Sequence, residues 1–484
     1  MAKSKQKKKT GLSRRRFVQS LGATAAIAGS PHLWLPKAFA QQQSDVRGSI
    51  RHLLYMRLNS GFRFTAAYNG NVASQFNPFG SAAGLPQGVE WGASAVMDRS
   101  GWLDEEKQAA GMLPMNQLAT RIAVIPCVDH EPFSGSADGN HGTGLERFYT
   151  GYAGTGGYDG AGTGIFSMIN YALRNEVATG NNTTSVRLPA FVLGEAGMAR
   201  GTGVFAGYRP PVIEGTNFDR FRTESGNIPE WAKSFSKATD QRMRERQHVF
   251  LRTPVDAYIQ SRSANERFND IFQSPILDID NNSDEAVDGF TQAQLTSLFG
   301  NSRAARSVRL ALRLFHFGCP AVYFGQGGWD YHSNEESSFP TAMDEPNWIM
   351  SALYAALKAM PYSYPDGSQD GSSYWDHTLV VFGSEFGRTA RGSRFNSARG
   401  SDHGGDLATR WMSMPMMGGL IAEGANTLAL GGKELGHTRS SDLKAEGQVV
   451  SYRAFMKTLI DALGGDHAGV FDAENVFNFS DLLS

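Results

Sequence analysis

The run YFGQGGWDYHSNEE, residues 323–336, ends an apolar stretch in glycines and then sets Asp330 two residues before His332. Further along, TLVVFGSEFGRTARG places Glu385 directly past a second apolar stretch, with Arg388 three residues on, and GSDHGG adds Asp402 and His403. Carboxylate oxygen and neutral imidazole nitrogen are the donors that divalent zinc, manganese or iron accept. Three carboxylates gathered without a cation would repel one another and raise each other's pKa; a divalent ion removes that conflict. The pattern therefore points to a metal centre built from Asp330, His332, Glu385, Asp402 and His403. Arg388 would either hold an anionic substrate group through paired hydrogen bonds or neutralise Glu385. Any one Asp-His pair is more often a surface hydrogen bond. It is the recurrence of such groups after successive apolar runs that favours the metal.

Five runs must position these residues: HLLYMRL at 52–58, IAVIPCV at 122–128, PAFVLG at 189–194, PAVYFG at 320–325 and TLVVFG at 378–383. They are continuous rather than alternating, which predicts strands covered on both faces. Between them, apolar residues three and four apart predict helices from Ile165, Ala305, Trp348 and Phe455. The alternation predicts an α/β fold, a mainly parallel sheet flanked by helices. Ligands of open α/β sheets sit beyond the carboxyl ends of the strands. The residues expected there are Asn59, Ser60 and Gly61, then Asp129 and His130, Gly194 and Glu195, Asp330 and His332, and Ser384 and Glu385. His316, on an apolar helix, and His377, at the entering end of a strand, read as packing or surface residues. The polar, charge-rich stretch at about 217–301 predicts a helical insertion. The glycine-rich run from Gly151 to Gly164 lacks the lysine and serine ending of a phosphate loop and reads as a connection.

Across 484 residues, 46 basic side chains balance 47 acidic ones, so neither nucleic acid nor an acidic membrane surface is an expected partner. The first forty residues stand apart. A basic stretch, KSKQKKKTGLSRRRF, leads into a short apolar run and then AFA, the order of a secretory signal peptide cut after Ala40. Arg14 and Arg15 with Phe17 behind them resemble the twin-arginine signal. The expectation is a 1–40 signal peptide, a 41–484 mature domain with no stable transmembrane segment, the twin-arginine export machinery as partner, and a periplasmic or secreted bacterial protein. Cys127 and Cys319 are too few for a disulfide framework and read as buried thiols.

GGWDYHSN, TLVVFGSEFGRTARG, GSDHGG, RLPAFVLG and YRPPVIEGT resemble, in order and spacing, the exported bacterial proteins of the domain of unknown function 1501 family. The resemblance runs roughly from His52 to the C-terminus. That family looks like a remote branch of the alkaline phosphatase and sulfatase superfamily, whose members hydrolyse phosphate or sulfate esters at a metal centre on a parallel sheet. The resemblance implies an alkaline-phosphatase-like fold, with Asp330 and His332 as ligands of a first metal, Glu385 at a further ligand position and His403 as the late histidine. It adds His141, from DGNHGTGLERFYTGY. It also implies a nucleophile at the end of the first strand, where this chain offers Ser60 after Asn59 and no carboxylate. One zinc or manganese ion or two therefore stay open. The function expected is an exported metal-dependent hydrolase of an anionic phosphate or sulfate ester, the substrate small or polymeric. The competing expectation is a non-catalytic, metal-stabilised binding or envelope protein that keeps the hydrolase fold.

Overall fold

A strand entirely without exposed residues, β1 (His52–Leu58), lies in the interior of the computed structural model of the chain. The described residues are 46–68, 72–74, 76–80, 95–130, 141–152, 162–174, 188–216, 229–248, 271–280, 287, 289–364, 368–390, 401–403, 411–421, 437–438, 443, 445–447, 449–471 and 476. The chain divides into Met1–Gln43 and Ser44–Ser484. The expected signal peptide, most of the glycine-rich run and much of the expected 217–301 insertion lie outside the described residues.

Beside β1 lie β5 (Ala321–Gln326) and β6 (Thr378–Gly383), both parallel to it. Outward from β5 come β3 (Phe191–Leu193) and β4 (Val212–Ile213), again parallel. Outward from β6 come β9 (Trp411–Gly418), β2 (Ile122–Asp129) and β12 (Val450–Ser451), giving the order β12-β2-β9-β6-β1-β5-β3-β4. All but β9 run the same way. Two small hairpins complete the strands: β7 (Thr389–Ala390) with β8 (Ser401–Asp402), and β10 (His437–Thr438) with β11 (Ala445–Glu446). The five apolar runs of the sequence are β1, β2, β3, β5 and β6, and because these share one direction their carboxyl ends share one rim.

Strand β9 has no counterpart among the expected strands. Its sequence, WMSMPMMG, is rich in unbranched methionine and carries Pro415, which removes a ladder donor from what is a central strand. The sheet accommodates this with a register shift on β2 between Ile125 and Val128, around Pro126, a second residue without an N–H. The Ser413 hydroxyl donates to the Pro126 carbonyl at 3.0 Å across the irregularity.

The flanking helices that matter here are α1 (His141–Thr150), α2 (Ile165–Ala172), α3 (Glu230–Arg246), α4 (Arg303–His316), α5 (Asp344–Ala359) and α6 (Tyr452–Ala462). Helix α4 packs on β5, and α6 packs on β2, β12 and α2. Their buried faces are the apolar stripes read from Ala305 and Phe455: Val308, Leu312 and Phe315 on one, Phe455, Leu459 and Ala462 on the other. Capping serines, Ser302 for α4 and Ser451 for α6, accept from the backbone three residues on and fix where each helix starts. The mostly exposed α3 lies within the expected insertion and carries Trp231 and Phe235 on its surface. Cys127 and Cys319 are both buried and unbridged. Among the described residues no helix is long and apolar enough to cross a membrane.

One buried ion pair ties the two loops that follow β1 and β5. Arg63 Nη1 lies 2.7 Å from Glu335 Oε2, each side chain 1% exposed, and Arg63 Nη2 donates to the Phe76 carbonyl. Glu335 opens the short helix Glu335–Ala342 immediately after Asp330 and His332, so this pair fixes the loop that carries them.

Candidate metal centre

Three residues from three separate elements converge at the rim: His141 is the first residue of α1, Asp330 follows β5, and His403 follows the β7–β8 hairpin. One donor atom from each lies within 4.8 Å of the others. Asp330 is half committed elsewhere. Its Oδ1 accepts from Arg388 Nη1 at 2.8 Å and lies 3.0 Å from His332 Nε2, while Oδ2 faces His141 Nε2 at 3.6 Å. Four-coordinate zinc with ligands at about 2.0–2.1 Å separates neighbouring donors by roughly 3.4 Å. A contraction of at most about 1.4 Å would therefore let the two imidazoles and an Asp330 carboxylate oxygen hold a divalent ion. Among the described residues the group offers two nitrogens and one carboxylate oxygen, the kind of mixed set that catalytic zinc takes.

Phe386 is the platform beneath the histidines. Its ring stacks on His403 at 4.9 Å and meets His141 edge-on at 5.2 Å, while the two imidazole rings lie 4.4 Å apart. Two glycines admit that ring. A Cβ on Gly61 would fall 1.9 Å from Phe386 Cε2, and one on Gly144 would fall 2.8 Å from Phe386 Cδ1; Gly61 also has φ of +77°. The hairpin pairs Thr389 with Asp402 and Ala390 with Ser401, which returns the chain so that His403 meets Phe386.

Glu385 lies behind this group and is 1% exposed. Its Oε1 accepts from the Ser60 backbone N–H at 2.6 Å and faces His141 Nδ1 at 3.8 Å. Burial opposes the charge on Glu385, but His141, Arg57 and the Ser60 amide outweigh it and hold the carboxyl below its usual range. Asp330 shows the same balance: burial raises its pKa, while Arg388, His332 and His141 bring it net below the ordinary aspartate value. Ser60 has φ of +76°, a left-handed conformation uncommon outside glycine and a source of roughly 1–2 kcal/mol of strain. Both of its backbone groups are clamped, the N–H on Glu385 and the carbonyl on Arg388 Nη1 at 2.8 Å.

Of the residues chosen from sequence, the rim thus gathers His141, Asp330, His332, Glu385, Arg388, His403 and Ser60. His332 contacts the Asp330 carboxylate, and its ring lies 5.1 Å from that of His403, outside the three-donor group. Arg388 has no exposed side-chain surface and is turned to Asp330 and Ser60, so it braces the candidate ligand carboxylate in place of the outward anion clamp or the partner of Glu385 that was expected. Asp402 belongs to β8, and its side chain lies outside the described residues. His130 Nδ1 contacts the Glu385 carbonyl at 2.9 Å, one layer behind. His377 stands at the amino end of β6, against Tyr362 and Ser372.

Arg57 was not anticipated. It is the one charged residue in β1, 5% exposed, with Nη2 2.5 Å from Glu195 Oε1 and Nη1 3.8 Å from Glu385 Oε2. Its Nε donates to Asn59 Oδ1 at 2.8 Å, and Asn59 Nδ2 donates on to Glu195. Tyr149 and Tyr323 donate to the other Glu195 oxygen. Burial works against the guanidinium's charge, yet Tyr323, Glu385 and Glu195 together leave it more firmly protonated than a free arginine. The only signal available in sequence was an arginine inside a strand otherwise free of charge, which a doubly covered strand does not accept without a partner.

An α/β sheet with histidine and carboxylate donors at its carboxyl rim defines the general class. More particularly, the family profile described as "Protein of unknown function (DUF1501)" matches residues 104–479, and the chain belongs to that family. No curated protein matches the chain. Solved structures similar to it include the soluble domain of lipooligosaccharide phosphoethanolamine transferase A from Neisseria meningitidis, at 9% identity and a TM-score of 0.33, covering 88% of this chain and 91% of that one. The C-terminal periplasmic domain of EcEptC from Escherichia coli, in complex with Zn, is 10% identical with a TM-score of 0.33, covering 90% and 88%. A protein in the alkaline phosphatase superfamily from Vibrio parahaemolyticus is 12% identical with a TM-score of 0.30, covering 88% and 69%. Likenesses this distant say nothing about activity.

Proposed function

We propose that the protein is an exported, metal-dependent hydrolase of an anionic phosphate or sulfate ester that works with one divalent ion, zinc or manganese. The observation that carries this reading is the His141–Asp330–His403 donor group at the carboxyl rim, with buried Glu385 behind it. A divalent ion held there supplies Lewis acidity toward an ester oxygen and a nucleophile. The protein residues do the rest. Asp330 is kept ionised by Arg388 and His332, Glu385 orients His141 and pins Ser60, and the amino end of α1 offers its positive dipole to an anionic group. Ser60, held on both backbone groups, is the residue assigned to attack: the bond from its Oγ to phosphorus or sulfur forms as the ester bond breaks, the alcohol departs with the hydroxyl proton, and water then hydrolyses the seryl ester to free the acid and restore Ser60. One ion rather than two is favoured because the Arg57 guanidinium already fills the space between Glu195 and Glu385 with permanent positive charge.

Metal-loaded protein tested on phosphomonoesters, phosphodiesters and sulfate esters should turn over at least one class. Ser60→Ala should abolish the covalent route, and Glu385→Gln should lower the rate by on the order of a hundredfold or more. No turnover with zinc or manganese, or activity unchanged in Glu385→Gln, would contradict the hydrolase. Arg57 also favours a second reading, since β1 ends without any acidic metal ligand: a metal-stabilised binding or envelope protein, which that negative result would select. Export by the twin-arginine route belongs to either reading. Replacing Arg14 and Arg15 together by lysine should leave uncut precursor in the cytoplasm, and normal cleavage of that variant would exclude the route.

A further inference from the structure

A second concavity opens along the same rim, on the β5–β3 side of β1, with a volume of about 350 Å³. It adjoins the metal centre through consecutive residues: Asn59 lines it, and the Ser60 amide binds Glu385. Part of its wall is chemically spent. Glu195 accepts from Arg57, Asn59, Tyr149 and Tyr323, and Asn59 uses both ends of its amide on Arg57 and Glu195. The groups left to meet a ligand are different. Arg303, at the first turn of α4, has no hydrogen-bond or ion-pair partner among the described residues, although its Nη2 reaches the edge of Gly194. Gln326 is 5% exposed; its Nε2 donates to Glu345 Oε2 at 2.7 Å, while its Oε1 is buried with no partner among the described residues. Ser307 donates to the Arg303 carbonyl and keeps its own lone pairs.

We infer that this cleft binds an uncharged polyhydroxylated group, a sugar or cyclitol, as the alcohol portion of the ester; the link to the ester rests on the hydrolase reading, the binding itself does not. The argument is one of charge and hydrogen-bond balance. A free anion would face Glu345, and a lone ammonium would face Arg303, so neither ionic class is matched. Neighbouring hydroxyls each donate and accept, and can satisfy Arg303 as donor while meeting Glu345 and Ser307 as acceptors. Among the described lining residues there is no aromatic ring, and Leu193 and Ala304 are the larger apolar members, so these residues offer a flat heterocycle no stacking face.

The test titrates the purified full chain with myo-inositol, methyl glucoside and N-acetylglucosamine, with ethanolamine and inorganic sulfate as ionic comparisons, following ligand resonances by saturation-transfer NMR. At least one neutral polyol should bind, and Arg303→Ala and Glu345→Gln should each weaken it about tenfold with an unchanged melting temperature. The absence of polyol binding, binding in both variants as tight as in the unaltered chain, or preferential binding of ethanolamine or sulfate dependent on the same residues would overturn the assignment. Because no turnover is read, loss of ester hydrolysis leaves this result standing, and failure here leaves the hydrolase reading standing.

Discussion

Buried Glu385 owes its charge to neighbours rather than to water, exposed Asp330 is favoured in its charged form by Arg388, His332 and His141, and that has a consequence in acid. Both carboxyls are held below their ordinary values in the folded chain. A group whose folded pKa is depressed contributes stability that is fully present above its unfolded pKa and is lost as pH falls through the folded value. Metal-free protein should therefore keep this contribution above about pH 5 and lose it progressively below about pH 4.5. Glu385→Gln removes one of the two groups, so its melting temperature should fall less steeply over that acid range than that of the unaltered chain. Parallel curves for the two proteins would mean that Glu385 titrates normally. At this scale the sequence was informative about residue type and less so about partners. Strand-end carboxylates and histidines could be chosen because glycine-flanked loops follow apolar runs. That Arg388 would turn inward onto Asp330, and that Arg57 would lie between Glu195 and Glu385, depended on contacts spanning 58, 138 and 328 positions of the chain.

Elements decide whether those residues meet at all. The Arg63–Glu335 pair joins the loop after β1 to the loop after β5, and both side chains are removed from water. Removing one partner of such a pair strands the other charge and typically costs roughly 3–5 kcal/mol. Arg63→Met should thus lower the melting temperature and weaken metal binding, since Asp330 sits just before the helix that Glu335 opens. Adding Glu335→Leu should recover part of the stability. A double variant no more stable than the single one would show that the pair acts through something other than the stranded charge. The five strand expectations succeeded because doubly covered strands read as unbroken apolar runs, and the four helix expectations succeeded because α2, α4, α5 and α6 bury regular stripes. Strand β9 was illegible for the converse reason: Pro415 and its methionines carry no strand signal, and only pairing with β2 and β6 makes it one.

For the whole molecule, one rim collects the strand-end residues, and the question is what that rim holds. The sheet supplies direction, since β1, β2, β3, β5 and β6 all deliver their carboxyl ends to the same edge. Along that edge the account assigns three tasks in sequence: one divalent ion at His141, Asp330 and His403, a clamped Ser60 beside it, and a neutral polar cleft beyond β1. The alkaline-phosphatase resemblance left one ion or two open because it concerned motifs, and the cation already resident in β1 is the reason a single ion is proposed. The central claim is that single ion. Elemental analysis of protein purified from its native host without chelator, alongside His141→Ala, His403→Ala and His377→Ala, tests it most directly. Close to one equivalent of zinc or manganese is expected in the unaltered chain and in His377→Ala, with that equivalent lost, and the melting temperature lowered, in the other two variants. Two equivalents, none, or equal metal content in all four proteins would contradict it.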